Sequence, residues 1–187
     1  MELELTVVLV VLLPLASGVS WMTDYDQQFT YECPEQHYLQ TIESVHDNHK
    51  EDRVFNFGCA PMSTFFSGNE LDSCEWTGYV NDFDALMEFQ CHNDYIIAGI
   101  SSYHDNGKED RRFKFQCCKP GSLVAHACSY TAYINTYDHV LQYRVPDGYA
   151  IRGVNSIHDN GKEDRIFKFD ICKLDKLQGP IDGEVVG

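Results

Sequence analysis

The 187-residue chain is long enough for one domain or two small ones, and it sets 29 carboxylates against 14 basic residues, a net charge of −15. That acidity argues against nucleic acid as a partner, because phosphate binding needs clustered Lys and Arg, and it disfavours docking on anionic lipid. With 43% hydrophobic residues, eleven Phe and eleven Tyr, the chain is too apolar for a disordered acidic tail and reads as a folded, aromatic-rich protein.

Leu5 to Ala16 is an apolar run of twelve residues. It falls short of the roughly 20 needed to cross a bilayer and fits the core of a secretory signal. Residues 1–18 are therefore expected to be a signal peptide, although Met1-Glu2-Leu3-Glu4 lacks the usual basic residue; the alternative is a buried N-terminal strand. No other long apolar run follows, so no membrane insertion is expected. In a secreted setting the eight Cys read as four disulfides. No N-glycosylation sequon is present.

The next 159 or so residues, 19–177, repeat one unit three times, at about 21–60, 74–118 and 128–172. Ser44 to Cys59, Ser102 to Cys117 and Ser156 to Ile171 share His-Asp-Asn-x-Lys-Glu-Asp-Arg followed by alternating aromatics, at offsets of 58 and 54 residues. Upstream, Cys74 to Asn81 aligns with Cys128 to Asn135, and an aromatic-Asp pair recurs as Tyr25-Asp26, Phe83-Asp84 and Tyr137-Asp138. Residues 178–187 form a C-terminal tail. Phe113-Lys114-Phe115 and Phe167-Lys168-Phe169 alternate with the period of a half-buried strand. Asn106-Gly107 and Asn160-Gly161 favour a two-residue hairpin turn, which would set Phe113 opposite Ile100; bulges at Gly99 and Gly153 would shift that register. The expectation is an all-β fold: three hairpin or meander repeats around one core, compatible with approximate threefold symmetry.

The repeat also sorts the cysteines. Cys33 and Cys59 are 26 apart, as are Cys91 and Cys117; the third unit has Val145 and Ile171 at the aligned positions, as if a bonded pair were lost together. Cys74 and Cys118 are 44 apart, as are Cys128 and Cys172, and the first unit has Ala60 there. These four pairs are the expected bridges. Zinc is disfavoured, because no Cys-x-x-Cys occurs.

The triplets ending in Asp52-Arg53, Asp110-Arg111 and Asp164-Arg165 have two readings. The structural one pairs each Arg with a carboxylate such as Asp26, Asp84 or Asp138; the functional one is a repeated polar site for sugars or sulfated chains. His46, His104 and His158 suggest no Ser/His/Asp catalytic site, because neighbouring strand residues point to opposite faces and no nucleophile elbow is present. A cation site from Asp105, Asn106 and Glu109 does not match an EF-hand loop. No P-loop, H-E-x-x-H or dinucleotide-binding glycine pattern appears, so no catalytic residue, metal or cofactor is assigned. Lys108, Arg111, Arg112 and Lys114 make the local basic cluster for any polyanion; most Tyr side chains are expected as core or cross-strand partners, with an exposed binding surface as the alternative for some.

The repeated Asp52-Arg53-x-Phe55-x-Phe57, Asp110-Arg111-x-Phe113-x-Phe115 and Asp164-Arg165-x-Phe167-x-Phe169, with regular Cys and many Tyr, resemble the dermatopontin family across most of the chain. Phe at the first aromatic position looks more like invertebrate members. The resemblance implies a non-enzymatic extracellular matrix protein. Its partners would be matrix proteins such as collagen, proteoglycans or glycans, with cell-surface receptors as a further class, and its roles cell adhesion and matrix assembly. The alternative is a soluble multivalent lectin or haemagglutinin.

Overall fold

The computed structural model describes residues 20–176, apart from 67 and 69. The expected signal segment and C-terminal tail lie outside the described residues. Among the described residues the chain is all-β but for the single turn of helix α1 (Met62–Phe65).

Each repeat contributes one long antiparallel hairpin: β2 (His37–Asp47) with β3 (Asp52–Pro61), β6 (Ile96–Asp105) with β7 (Asp110–Cys118), and β10 (Tyr149–Asp159) with β11 (Asp164–Lys176). Each also contributes a short strand ahead of the hairpin: β1 (Phe29–Glu32), β5 (Met87–Gln90) and β9 (Leu141–Arg144). The short strand does not pair with its own hairpin. β1 pairs with β6, β5 with β10, and β9 returns to β2. Two further strands, β4 (Cys74–Trp76) and β8 (Leu123–Tyr130), extend β7 and β11, so the sheets run β1-β6-β7-β4, β5-β10-β11-β8 and β3-β2-β9.

Side chains tie each short strand back to its own hairpin. Tyr31 of β1 stacks on Phe57 of β3 at 4.9 Å, Phe89 of β5 on Phe115 of β7 at 5.1 Å, and Tyr143 of β9 on Phe169 of β11 at 5.1 Å. Disulfides Cys33–Cys59 and Cys91–Cys117 make the same link covalently in the first two repeats. In the third, buried Val145 and half-buried Ile171 belong to the shared apolar core instead. Cys74–Cys118 and Cys128–Cys172 close the outer strands onto β7 and β11. The core gathers the alternating aromatics of all three hairpins, with edge-to-face contacts from Phe55 to Phe113 at 6.5 Å and from Phe113 to Phe167 at 6.1 Å.

The register carries a bulge in every hairpin, between Leu39 and Thr41, Ile97 and Gly99, and Ile151 and Gly153. At Gly153 the reason is close approach: a Cβ there would come within 2.4 Å of Phe89 O on β5. The hairpin tip differs from the two-residue turn expected. The strands close at Asp105 opposite Asp110, leaving four residues in the loop, and Phe113 lies opposite Ser102. Asp105 Oδ1 accepts a hydrogen bond from Gly107 N at 2.9 Å, an Asx turn that starts the reversal. The left-handed backbone then falls on Glu109, φ 44°, and on Glu51 and Glu163 in the other copies, φ 49° and 47°, rather than on the Asn-Gly pair.

Candidate functional site

Two features stand out, one at the hairpin tips and one on the outer sheet faces. At the tips the three Asp-Arg pairs interlock across repeats. Arg53 donates from Nε and Nη2 to the two carboxylate oxygens of Asp164 at 2.6 and 2.8 Å. Arg111 holds Asp52 at 2.6 Å through both nitrogens. Arg165 holds Asp110 at 2.6 and 2.7 Å. All six side chains are buried. The expected pairing with Asp26, Asp84 and Asp138 is therefore corrected. Those three have backbone N–H groups that donate to Asp52, Asp110 and Asp164, each at 2.8 Å, and their carboxylates face Lys50, Lys108 and Lys162. Arg53 Nη2 and Arg165 Nη2, already on their aspartates, also donate to the carbonyls of His139 and Ala85, and Arg111 Nη1 donates to Gln27 O, which fixes the loops ahead of the short strands. The ring registers one repeat against the next, and its strength comes from bidentate, charge-assisted bonds.

The histidines sit beside this ring. His46, His104 and His158 place Nδ1 at 2.9–3.1 Å from the side-chain oxygens of Asn48, Asn106 and Asn160. His46 Nε2 and His158 Nε2 reach the backbone carbonyls of Glu163 and Glu109 in other repeats, at 3.2 and 3.3 Å. A cavity of about 20 Å³, room for about one water-sized occupant, lies where the tips meet, lined by Glu51, Glu109, Glu163 and the Arg–Asp ring. Burial lifts the Glu109 and Glu163 carboxyls above their ordinary range; His104 and His158 respectively oppose this, while Glu51 pushes both further.

The second feature faces outward. On sheet β1-β6-β7-β4, Lys114 Nζ lies 4.3 Å from the ring centre of Tyr79, and the Arg112 guanidinium lies 4.9 Å from it. Tyr103 meets Tyr79 and Phe83 edge-on at 5.0 and 5.4 Å, and Trp76 Nε1 donates to Glu32 Oε1 at 3.3 Å. On sheet β5-β10-β11-β8, Lys168 Nζ lies 5.0 Å from the Tyr130 ring and 5.2 Å from Tyr133, and the Tyr133 hydroxyl donates to Asn155 Oδ1 at 3.3 Å. Tyr79 and Tyr133 are 36% and 38% exposed. Among the described residues neither Lys114 nor Lys168 has an ion-pair partner, in a chain dominated by carboxylates. The basic cluster read from the sequence is split. Arg111 is buried in the ring and Lys108 turns to Asp84, which leaves Arg112 and Lys114 on the face. Sequence reading missed this aromatic-cation grouping because Tyr79 and Lys114 are far apart in the chain; the signal available was the shared Tyr79/Tyr133 and Lys114/Lys168 repeat positions.

Other repeat positions prove to be scaffold. Asn81 and Asn135 accept from the N–H of Phe113 and Phe167 at 2.9 Å and donate back to the carbonyls of Arg111 and Arg165. Thr77 and Thr131 accept from Phe115 and Phe169 N–H at 3.0 Å. Side chains thus satisfy strand edges that no neighbouring strand covers at that point.

The disulfide-tied repeats and their interlocking Asp-Arg-x-Phe-x-Phe motifs belong to a class of sequences already described by a family model. The family model described as Dermatopontin matches residues 23–176, and the chain belongs to the dermatopontin family. It is 41% identical over 170 residues to the hemagglutinin/amebocyte aggregation factor of Limulus polyphemus, covering 90% of this chain and 95% of that protein. It is 37% identical over 147 residues to the dermatopontin of Biomphalaria glabrata, covering 79% and 95%. It is 37% identical over 153 residues to Millepora cytotoxin-1 of Millepora dichotoma, covering 82% and 66%. No solved structure matches. Among the described residues no helix is long and apolar enough to cross a membrane.

Proposed function

We propose that the protein is a secreted, non-enzymatic binding protein of the extracellular matrix. Its outer faces engage glycans and glycan-bearing matrix components, and thereby support cell adhesion and matrix assembly. The observation that carries this reading is the pair of outward faces on which Lys114 and Lys168 rest against exposed tyrosine rings without a carboxylate partner. Tyrosine supplies an apolar platform with a polar rim, and an uncommitted ammonium group supplies attraction for an anionic or hydroxyl-rich ligand. We also infer that the three repeats sit about an approximate threefold axis. The return of β9 to β2 and the cyclic Arg–Asp pairs support that reading.

A second reading, a soluble agglutinin, draws support from the likeness to the Limulus hemagglutinin/amebocyte aggregation factor and from the presence of two comparable faces on one chain. A glycan array run beside a pull-down from matrix extract separates the two readings. The deciding variants are Tyr79→Ala with Lys114→Ala, Tyr133→Ala with Lys168→Ala, and all four together. Each pair should weaken retention, and the combined variant should abolish it, with little change in melting. Full binding by the combined variant would remove these faces as the site.

A further inference from the structure

The hairpin tips carry one motif that the Arg–Asp ring does not explain. His-Asp-Asn is followed by Gly107 and Gly161 in the second and third repeats, and by His49 in the first. The backbone does not demand those glycines. Neither Gly107 nor Gly161 adopts a positive φ, and the first repeat makes the same turn with a side chain at His49. What glycine supplies is room beside its own nitrogen. A Cβ at Gly107 or Gly161 would lie 3.2 or 3.3 Å from the Oδ1 of Asp105 or Asp159.

Two contacts converge on each Asn-Gly pair. Asp105 Oδ1 accepts from Gly107 N at 2.9 Å, and Asp159 Oδ1 from Gly161 N at 2.8 Å. His104 Nδ1 lies 3.1 Å from Asn106 Oδ1, and His158 Nδ1 lies 3.0 Å from Asn160 Oδ1. An amide oxygen only accepts, so Nδ1 carries the proton in both rings. A carboxylate thus sits on the proton of a backbone nitrogen, and an imidazole N–H sits on the oxygen of the side-chain amide just before it. Those are the two elements of acid–base assisted acyl transfer: a base on the nucleophile and a donor on the developing oxyanion. The histidines are buried, whereas Asn106, Gly107, Asn160 and Gly161 are exposed to water. The first repeat keeps both contacts, from His46 Nδ1 to Asn48 Oδ1 at 2.9 Å and from His49 N to Asp47 Oδ1 at 2.8 Å, but its nucleophilic residue carries a side chain.

We propose that the tips of the second and third hairpins modify themselves. Asn106 and Asn160 cyclise onto Gly107 and Gly161 and deamidate in the folded protein, with Asp105 and Asp159 as bases and His104 and His158 as oxyanion donors. At the second tip a bond forms from Gly107 N to Asn106 Cγ, and the Asn106 Cγ–Nδ2 bond breaks. The Gly107 proton passes by way of Asp105 to the departing nitrogen, which leaves as ammonia. Water then opens the succinimide at either carbonyl, giving aspartate or isoaspartate. Each event sets a carboxylate against a site where Asp26 Oδ1 already lies 3.6 Å from His104 Nδ1, and Asp84 Oδ1 3.9 Å from His158 Nδ1. Isoaspartate also adds a methylene to the backbone of a loop that Asp105 and Asp110 close at four residues. The tips that seat the Arg–Asp ring therefore loosen as the protein ages, with no enzyme involved.

The test is incubation of the folded full chain in ¹⁸O-labelled water at pH 7.5, followed by peptide mapping with mass spectrometry. The expected result is label and charge gain at Asn106 and Asn160 but not at Asn48. Both rates should exceed those of the same chain unfolded in guanidinium chloride by about tenfold or more. Asp105→Ser keeps a turn acceptor without the carboxylate, and should slow Asn106 by about tenfold or more while Asn160, the control for folding in the same molecule, keeps its rate. His49→Gly should make Asn48 reactive at a rate comparable with Asn106. Folded rates equal to or below the unfolded ones would overturn the proposal. So would an unchanged Asn106 rate in Asp105→Ser, or an inert Asn48 in a His49→Gly chain that melts like the parent.

Discussion

Replacing Arg111 with Ala tests whether the Asp-Arg motif is scaffold. In the folded protein Arg111 is 3% exposed and Asp52 is 4% exposed. The change removes two bonds to Asp52 at 2.6 Å, one to Gln27 O at 3.1 Å, and a guanidinium 5.5 Å from the Phe29 ring centre. Asp52 keeps only the Asp26 N–H at 2.8 Å and is left as a buried, under-compensated carboxylate. Breaking such a pair costs about 3–5 kcal/mol, which for a domain of this size lowers the melting temperature by roughly 6–20 °C. Urea unfolding should show a lower midpoint with an unchanged slope. Arg111→Lys, which keeps the charge but not the fork, should fall between the two. Arg111→Met combined with Asp52→Leu should recover much of the loss, because no unpaired charge remains. Retention on a glycan array per folded molecule should stay at the parent level. An Arg111→Ala protein that melts within about 1 °C of the parent while losing its ligand would refute the scaffold role.

The third repeat lacks the bridge that Cys33–Cys59 and Cys91–Cys117 provide at Cα separations of 5.7 and 5.8 Å. Val145→Cys with Ile171→Cys should therefore form it and add about 3.5 kcal/mol in the chain-entropy model; a mass two hydrogens lighter without a rise in melting temperature would contradict this. Tyr38 is fully buried with an unpartnered hydroxyl, so Tyr38→Phe should stabilise by about 1 kcal/mol in urea melts at pH 8. Burial, with Asp147 adding and Arg144 opposing, pushes the Tyr38 hydroxyl from 10.0 up to about 12. Its unionised form favours the folded state below pH 10, and that contribution is lost as pH rises toward 12, so the phenylalanine variant should lose less stability across this window. A fragment of residues 74–118 should stay unfolded by circular dichroism, since β5 pairs with β10 and β6 with β1, both outside it.

Local features of the fold were legible because their causes are local. Alternation in Phe113-Lys114-Phe115 reports a half-buried strand wherever its partners lie. Glycine marked the bulges at Gly99 and Gly153, whereas the equivalent bulge between Leu39 and Thr41 carries no glycine and so left no local sign. The 26- and 44-residue spacings carry the same cysteine pairs that the structure joins. What the sequence hid was relational. A repeat does not show that its first strand pairs with another repeat's hairpin, since apolar alternation in β1, β5 and β9 suits either partner. For the same reason Asp26, Asp84 and Asp138 looked like the arginines' partners, when Arg111 holds Asp52 of another repeat. The turn was misread because Asn-Gly chemistry pointed to one solution, while the side chain of Asp105 selected another that moves the left-handed residue to Glu109.

Interlocking also bears on valency. The inward positions of the three repeats are held alike, because each Asp serves an Arg from another copy and the three Phe pairs share one core. The outward positions are not under that constraint, and they differ. Where the second repeat has Tyr103, Arg112 and Lys114, the third has Ile157, Ile166 and Lys168, and the first has Val45, a buried Val54 and Asn56. An uncommitted lysine over tyrosine therefore occurs on two faces, not three. If those faces bind, the chain is bivalent with unequal sites, and crosslinking needs both. Effective concentration from a rigid body then raises avidity only for ligands that span the two faces. Loss of agglutination on disabling either face alone, with single-site binding retained at the other, is the outcome this geometry requires. Agglutination that survives loss of one face would demand a third binding face or self-association of the chain.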